Sequence, residues 1–270
     1  MKNPLLINPK QEVKKIIDFL KKTFKEQKID KVVLGLSGGI DSTTVLYLLK
    51  KTLPKKNIYA IQMDYKPRKK SNIDLKGINV INISIKKIVD QFNVGEGDKF
   101  FATWEPRHFL SRVPTGAKKF GTEPKIRIGN IMARIRMIIL FDLAKQLNGL
   151  VCGTENKSEK LLGYFTRFGD SASDLEPLSH LYKTQIYQLA KYLQVPEEII
   201  DQSPSAGLWN GQTDEKEFGF TYKEADQVLS EYFDKKISTE KIIKMGFPNA
   251  NKIIAYCKKN QFKQKTPYSL

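Results

Sequence analysis

Apolar residues at Val13, Ile16, Ile17, Leu20 and Phe24 recur one helical turn apart with lysines between them, which predicts an amphipathic helix near the start of the chain. The pattern then changes. Lys31 to Leu36 is a short apolar run with paired valines and predicts a buried strand. A Gly/Ser loop follows, and Thr44, Val45, Leu48 and Leu49 continue as a helix that Pro54 ends. Ile58 to Met63 predicts a second strand. A strand, a helix and a strand in this order imply a parallel pair joined by a right-handed crossover. Asn79 to Ile83 predicts a third strand, with a helix from Ser84 to about Phe92. From Gly129 to Leu147 a long helix is predicted, with Ile131, Ile135, Ile138, Ile139 and Leu143 on one face. Its run from Met137 to Leu143 reads as a buried segment. Leu150 to Gly153 predicts another strand, and Lys183 to Leu193 another helix. Asp64–Lys76, Asn93–Arg127, Gly163–Asp170 and Ser203–Phe220 lack a clear period and read as loops, and short helices finish the chain. This alternation predicts one α/β domain over residues 1–270, a parallel sheet flanked by helices.

Composition narrows the function classes. No apolar run approaches the roughly 20 residues of a membrane span. Met1 to Lys10 lacks the layout of a secretory signal, so a cytoplasmic protein is expected. Cys152 and Cys257 are expected to be buried thiols, with neither a disulfide framework nor a metal cluster. His108 and His180 are too few for a histidine-ligated metal; for His108 a surface or loop role is expected ahead of a catalytic one. The net charge of +17 is dispersed in pairs such as Lys14-Lys15, Lys50-Lys51 and Lys258-Lys259. Without interleaved aromatics these pairs fit solvated helix faces better than a nucleic-acid groove.

The chemistry concentrates in Gly35-Leu36-Ser37-Gly38-Gly39-Ile40-Asp41-Ser42. Between a buried strand and a helix, this string sets unsubstituted backbone at a helix N-terminus, where free N–H groups and the helix dipole favour an anion. A plain Gly-rich turn, with Asp41 or Ser42 as N-cap, is the structural alternative. The string lacks the Gly-Lys-Ser/Thr ending of a Walker loop and the third spaced glycine of a dinucleotide fingerprint. Ser37 to Ser42 resembles the signature of the ATP pyrophosphatases, which attack ATP at the α-phosphate and hold pyrophosphate as the leaving group.

Further motifs follow in order: Gly129 to Met137, Gly153-Thr154-Glu155-Asn156-Lys157-Ser158-Glu159, Gly163 to Asp170, Asp174-Leu175-Glu176-Pro177-Leu178, Pro204 to Trp209, Asp214-Glu215 and Gly219 to Tyr222. Together they resemble the NAD synthetases within the N-type ATP pyrophosphatases. The resemblance implies an adenine nucleotide alpha-hydrolase-like (Rossmann-like) fold and a ligase that makes an amide bond. The nicotinate carboxylate of deamido-NAD is adenylated by ATP and the adenylate is then attacked by ammonia, giving NAD, AMP and pyrophosphate. It implies a phosphate loop from Gly35 to Ser42, ATP contacts at Thr154, Lys183 and Ser205, and Mg²⁺ on Asp41 and Glu159. It implies deamido-NAD contacts at Arg134, Arg167, Asp174, Phe262 and Lys263. Asp170 is expected near the nicotinate end, where a carboxylate can bind or deprotonate ammonium. A homodimer is implied, and free ammonia is expected because the chain offers no room for a glutaminase domain. The loop Asp64–Lys76, which carries Arg68, is shorter than the family's first mobile loop, and Asn93–Arg127 is longer than usual. Two rivals remain at this stage: a tRNA-modifying ATP pyrophosphatase, and a nucleotide-binding protein without catalysis.

Overall fold

The computed structural model describes residues 5–66, 72–92, 124–205, 207, 211–265 and 267–268, so Arg68 and His108 lie outside the described residues. Helix α1 (Pro9–Gln27) starts where Asn8 accepts from the Gln11 N–H and Pro9 takes the first helical position. It buries Val13, Ile16, Leu20 and Phe24, the stripe read from the sequence. Strands β1 (Lys31–Gly35), β2 (Ile58–Asp64), β3 (Asn79–Ser84) and β4 (Gly149–Cys152) form a parallel sheet in the order β3-β2-β1-β4. Period-two alternation sends Val32 and Leu34 of β1 to one face and Val33 to the other. The first face is covered by α1, α2 (Ile40–Thr52) and α6 (Lys183–Tyr192), and the second by α3 (Lys86–Asp90) and α4 (Pro124–Leu147). A third apolar cluster joins α5 (Lys157–Leu162), α8 (Asp214–Phe218), α9 (Tyr222–Leu229), α10 (Thr239–Lys244) and α11 (Ala250–Asn260); α7 (Glu197–Ile200) follows α6.

The strand order locates the functional end of the sheet. From β1 the chain moves outward through β2 and β3, then returns to place β4 on the other side of β1. The reversal opens a crevice beyond the carboxyl ends of β1 and β4, the position where such sheets bind ligands. The β1–α2 loop and the loop from β4 to α5 both leave from that end.

Several expectations need correction. Ser84 closes β3, and the helix after it starts at Lys86. Helix α4 begins at Pro124, five residues before Gly129, so the segment without a readable period ends inside a helix. Ile138 is 61% exposed, and Met137 to Leu143 is only half-buried at best. The sequence pattern marks Ile138 as apolar but cannot say whether anything in the same chain covers it. Ser203–Phe220 is not loop throughout, because α8 forms within it behind the acidic first turn Asp214, Glu215 and Glu217. Cys152 and Cys257 are buried free thiols, and His180 sits at the surface beside Glu12. Among the described residues no helix is long and apolar enough to cross a membrane.

Candidate active site

The β1–α2 turn is built to leave amides free. Gly38 has φ +81°, a conformation that side chains rarely adopt. Gly39 is the N-cap of α2 and supplies no side-chain acceptor, so the first-turn N–H groups keep an anion-binding aspect. Ser37 accepts from the Gly39 N–H at 3.2 Å and its hydroxyl lies 2.9 Å from that of Ser42, which donates to the Gly39 carbonyl at 3.1 Å. These bonds hold the turn open. Asp41 is therefore not the cap. Its Oδ2 lies 2.5 Å from the ammonium of Lys183, the first residue of α6, and Asn156 Nδ2 reaches its Oδ1 at 3.4 Å.

Glu159 arrives at the same point from α5. Asn156 caps that helix by accepting from the Glu159 N–H at 2.9 Å, and Glu159 Oε2 accepts from the Asn156 N–H at 3.3 Å. This is a reciprocal capping box, legible in the sequence as Asn-x-x-Glu. The other oxygen, Oε1, faces Lys183 at 3.3 Å. Lys183 is buried, and its cationic form is opposed by burial but favoured more strongly by Asp41, Glu159 and Asp214 around it, so its pKa is raised. Burial raises the Glu159 carboxyl; Lys183 opposes the rise, and Asp41 and Asp214 reinforce it. One lysine thus faces three carboxylates, an electrostatic setting that favours a further cation. Asp214 is held by Tyr164 and Tyr222, whose hydroxyls donate to it at 3.1 Å each, and the Lys183 ammonium lies 5.3 Å from the centre of the Tyr222 ring.

Four of the residues expected to meet the dinucleotide form a second, more open group. Arg134 Nε donates to the Arg167 carbonyl at 3.3 Å, and the Arg167 guanidinium lies 5.1 Å from the centre of the Phe262 ring. Lys263 Nζ donates to the carbonyls of Gly163 and Phe165 at 2.8 and 3.1 Å, which ties the C-terminal segment to the Gly163–Asp170 turn. Asp170 Oδ1 accepts from the Thr166 N–H at 2.8 Å in that turn. Asp174 shares no hydrogen bond with the four among the described residues; on the edge of the sheet its Oδ2 accepts from the Val151 N–H at 2.7 Å. Thr154 follows β4 at the crevice end, and Ser205 accepts from the Gly207 N–H at 3.1 Å.

Asn156, Glu155, Glu176 and Asp214 stand inside the sequence motifs, where no local pattern gives them a role in the chemistry. Glu176 Oε2 accepts from the Glu155 N–H at 3.0 Å and its Oε1 accepts from Ser173 Oγ at 2.6 Å. Glu155 Oε1 is buried and has no hydrogen-bond partner among the described residues. Burial first, and then the Glu176 and Asp170 carboxylates, push Glu155 up to about 8 against the opposing charge of Lys160; burial likewise pushes Glu176 up to about 7, where Ser173, the Glu155 N–H and Lys160 oppose it. The pairing depends on how the β4–α5 loop folds onto the segment after Asp174, which no local pattern announces.

The whole chain is similar in sequence and fold to known proteins. The chain is 40% identical to an NH(3)-dependent NAD(+) synthetase of Fusobacterium nucleatum subsp. nucleatum, over 98% of this chain and 97% of the relative. Among solved structures it is similar to an NH3-dependent NAD synthetase from Campylobacter jejuni, with TM-score 0.71, 32% identity and coverage of 98% and 100%. It is also similar to an NMN synthetase from Francisella tularensis, with TM-score 0.73, 31% identity and coverage of 98% and 99%. The NAD synthase family profile matches residues 12–267, and this chain belongs to that family.

Proposed function

We propose that this chain is an ammonia-dependent NAD synthetase, which amidates deamido-NAD at the expense of ATP in the final step of NAD formation. The observation that carries the reading is Lys183 between Asp41 and Glu159, beside the open N-terminus of α2 and at the crevice of the sheet. In the first half-reaction a nicotinate carboxylate oxygen attacks the α-phosphorus and the bond to pyrophosphate breaks. In the second, the ammonia nitrogen attacks the adenylate carbonyl carbon, AMP leaves and the nitrogen sheds a proton. Gly35, Leu36, Ser37, Gly38, Gly39, Ile40, Asp41 and Ser42 take the departing pyrophosphate, with Thr154, Lys183 and Ser205 on the ATP side. A lysine held this rigidly favours charge that builds on phosphate oxygens without having to reorganise. Arg134, Arg167, Asp174, Phe262 and Lys263 take deamido-NAD, and Asp170 accepts the ammonium proton.

Asp41 and Glu159 suit Mg²⁺: both are hard oxygen donors that converge on Lys183, and this ion takes one or two carboxylates plus substrate phosphates. When bound, it would neutralise phosphate charge. Among the described residues no group of three or more His, Cys, Asp or Glu side chains is placed to hold a metal ion, so Mg²⁺ here would rest on two carboxylates and the substrate phosphates. The exposed Ile138 of α4 supports a homodimer in which a second copy covers it. The reading treats residues 1–270 as one working unit, placed in the cytoplasm.

The test is direct. The purified chain is incubated with ATP, Mg²⁺, ammonium and either deamido-NAD or nicotinate mononucleotide, and NAD, AMP and pyrophosphate are quantified. Equal amounts of the three with deamido-NAD are expected. Release of ADP, or no amide product, would sink the reading, and a higher kcat/KM with nicotinate mononucleotide would move it to the smaller nucleotide. Asp170→Asn with unchanged amide formation at limiting ammonium would remove the role given to Asp170.

A further inference from the structure

Helix α6 carries Lys183 at its first position, yet its N-cap residue, Tyr182, has no short side-chain oxygen to satisfy the first-turn amides. The Tyr182 phenol points elsewhere and donates to Asp234 at 2.9 Å. The amides of Lys183 and Thr184 are satisfied from two other helices, α5 and α9. Asp226 of α9 is completely buried, and its Oδ2 accepts from both the N–H and the hydroxyl of Thr184 at 2.8 Å. Its Oδ1 accepts from the Ser158 hydroxyl at 2.5 Å, and Ser158 Oγ in turn accepts from the Lys183 N–H at 2.8 Å. The first two amides of α6 therefore end on one carboxylate, one of them directly and the other through Ser158. Ser158 adjoins Glu159, so the same carboxylate also pins α5.

We propose that Asp226 is a positioning residue for the reaction: it locks the first turns of α5 and α6 together, and so sets the Lys183 ammonium and the Glu159 carboxylate against Asp41. This rests on the function proposed above. A buried carboxylate is costly unless donors and a helix N-terminus compensate it, and an apolar residue would fill the space at less cost. Its presence is explained by what it orients. Asp226 touches neither Asp41 nor the β1–α2 loop in any hydrogen bond among the described residues, so its effect passes through Lys183 and Glu159. Displacing a catalytic group by an ångström costs on the order of a hundredfold in rate.

The experiment compares wild type, Asp226→Asn, Ser158→Ala, Lys183→Ala and the Asp226→Asn/Lys183→Ala double variant in steady-state NAD formation. Circular dichroism and thermal unfolding are recorded for each. Asp226→Asn is expected to lower kcat about tenfold or more while leaving the KM for deamido-NAD within about twofold. Ser158→Ala, which keeps both Thr184 bonds, is expected to show a smaller loss of the same kind. In the Lys183→Ala background, Asp226→Asn is expected to add little further loss. Unchanged kcat in folded Asp226→Asn and Ser158→Ala proteins would overturn the proposal, as would losses that multiply in the double variant. If Asp226→Asn fails to fold, Ser158→Ala decides by itself. A wild-type protein that does not amidate deamido-NAD refutes the function, and the positioning role falls with it.

Discussion

Lys183 and Arg167 are both cations read from the sequence as substrate contacts, but the protein holds them in opposite ways. The Lys183 side chain is 3% exposed, lies between two carboxylates, and has its helix anchored by Ser158, Thr184 and Asp226. Arg167 sits in a turn, its guanidinium resting on the Phe262 ring, and Phe262 is itself 46% exposed. On the proposed function, the Lys183 end is pre-organised, so charge that develops during adenylation would meet dipoles already in place. The Arg167 end is more open, and a dinucleotide bound there would order part of it. On this division, damage at the phosphate end shows in kcat and damage at the dinucleotide end shows in KM.

The severest test is Lys183→Ala, for which kcat is expected to fall about 10²- to 10³-fold with little change in the KM for deamido-NAD. Steady-state kinetics with each substrate varied would show it. Next is Arg167→Ala, expected to raise the KM for deamido-NAD by about tenfold or more, in line with the loss of one charge-assisted contact, while kcat stays nearly level. A kcat loss as deep as that of Lys183→Ala would erase the distinction between the two ends. Phe262→Ala removes only the ring beneath Arg167; a rise of about two- to fivefold in the same KM is expected for an exposed cation–π contact. The smallest effect concerns stability. The folded-state pKa values of Glu155 and Glu176 are raised, to about 8 and about 7, chiefly by burial. Above the ordinary carboxylate range the unfolded chain releases these protons while the native chain keeps them, so stability falls as pH rises through that window. Thermal unfolding at about pH 8 should therefore lie a few degrees below that at about pH 6, roughly 2–4 °C per kcal/mol for a chain of this size, and Glu155→Gln should flatten the difference.

The phosphate end was also the more legible. Ser37-Gly38-Gly39-Ile40-Asp41-Ser42 declares a strand–turn–helix anion site because glycine and helix termini have local, sequence-bound properties. The capping box of Asn156 and Glu159 is local in the same sense. Lys183 was named through resemblance; its partners Asp41 and Glu159 lie 142 and 24 residues away, and no periodicity reports such distances. Asp226 left no signal at all. An aspartate in the helix Tyr222–Leu229 reads as a solvent-facing residue until α9 is seen packed on α5 and α6. Ile138 failed in the opposite direction, apolar by pattern yet exposed in this chain.

The sequence by itself determined the parallel α/β arrangement, the strand-bound glycine loop and the order of its motifs, since these depend on period, backbone freedom and composition over a few residues. The tertiary structure alone decided that β4 returns to the far side of β1, and thereby brought α2, α5 and α6 to one crevice. It also decided that Asp226, 42 residues beyond Thr184, would terminate the amides of that helix. Burial and long-range hydrogen bonding depend on what packs across the chain, and only the folded molecule contains that information.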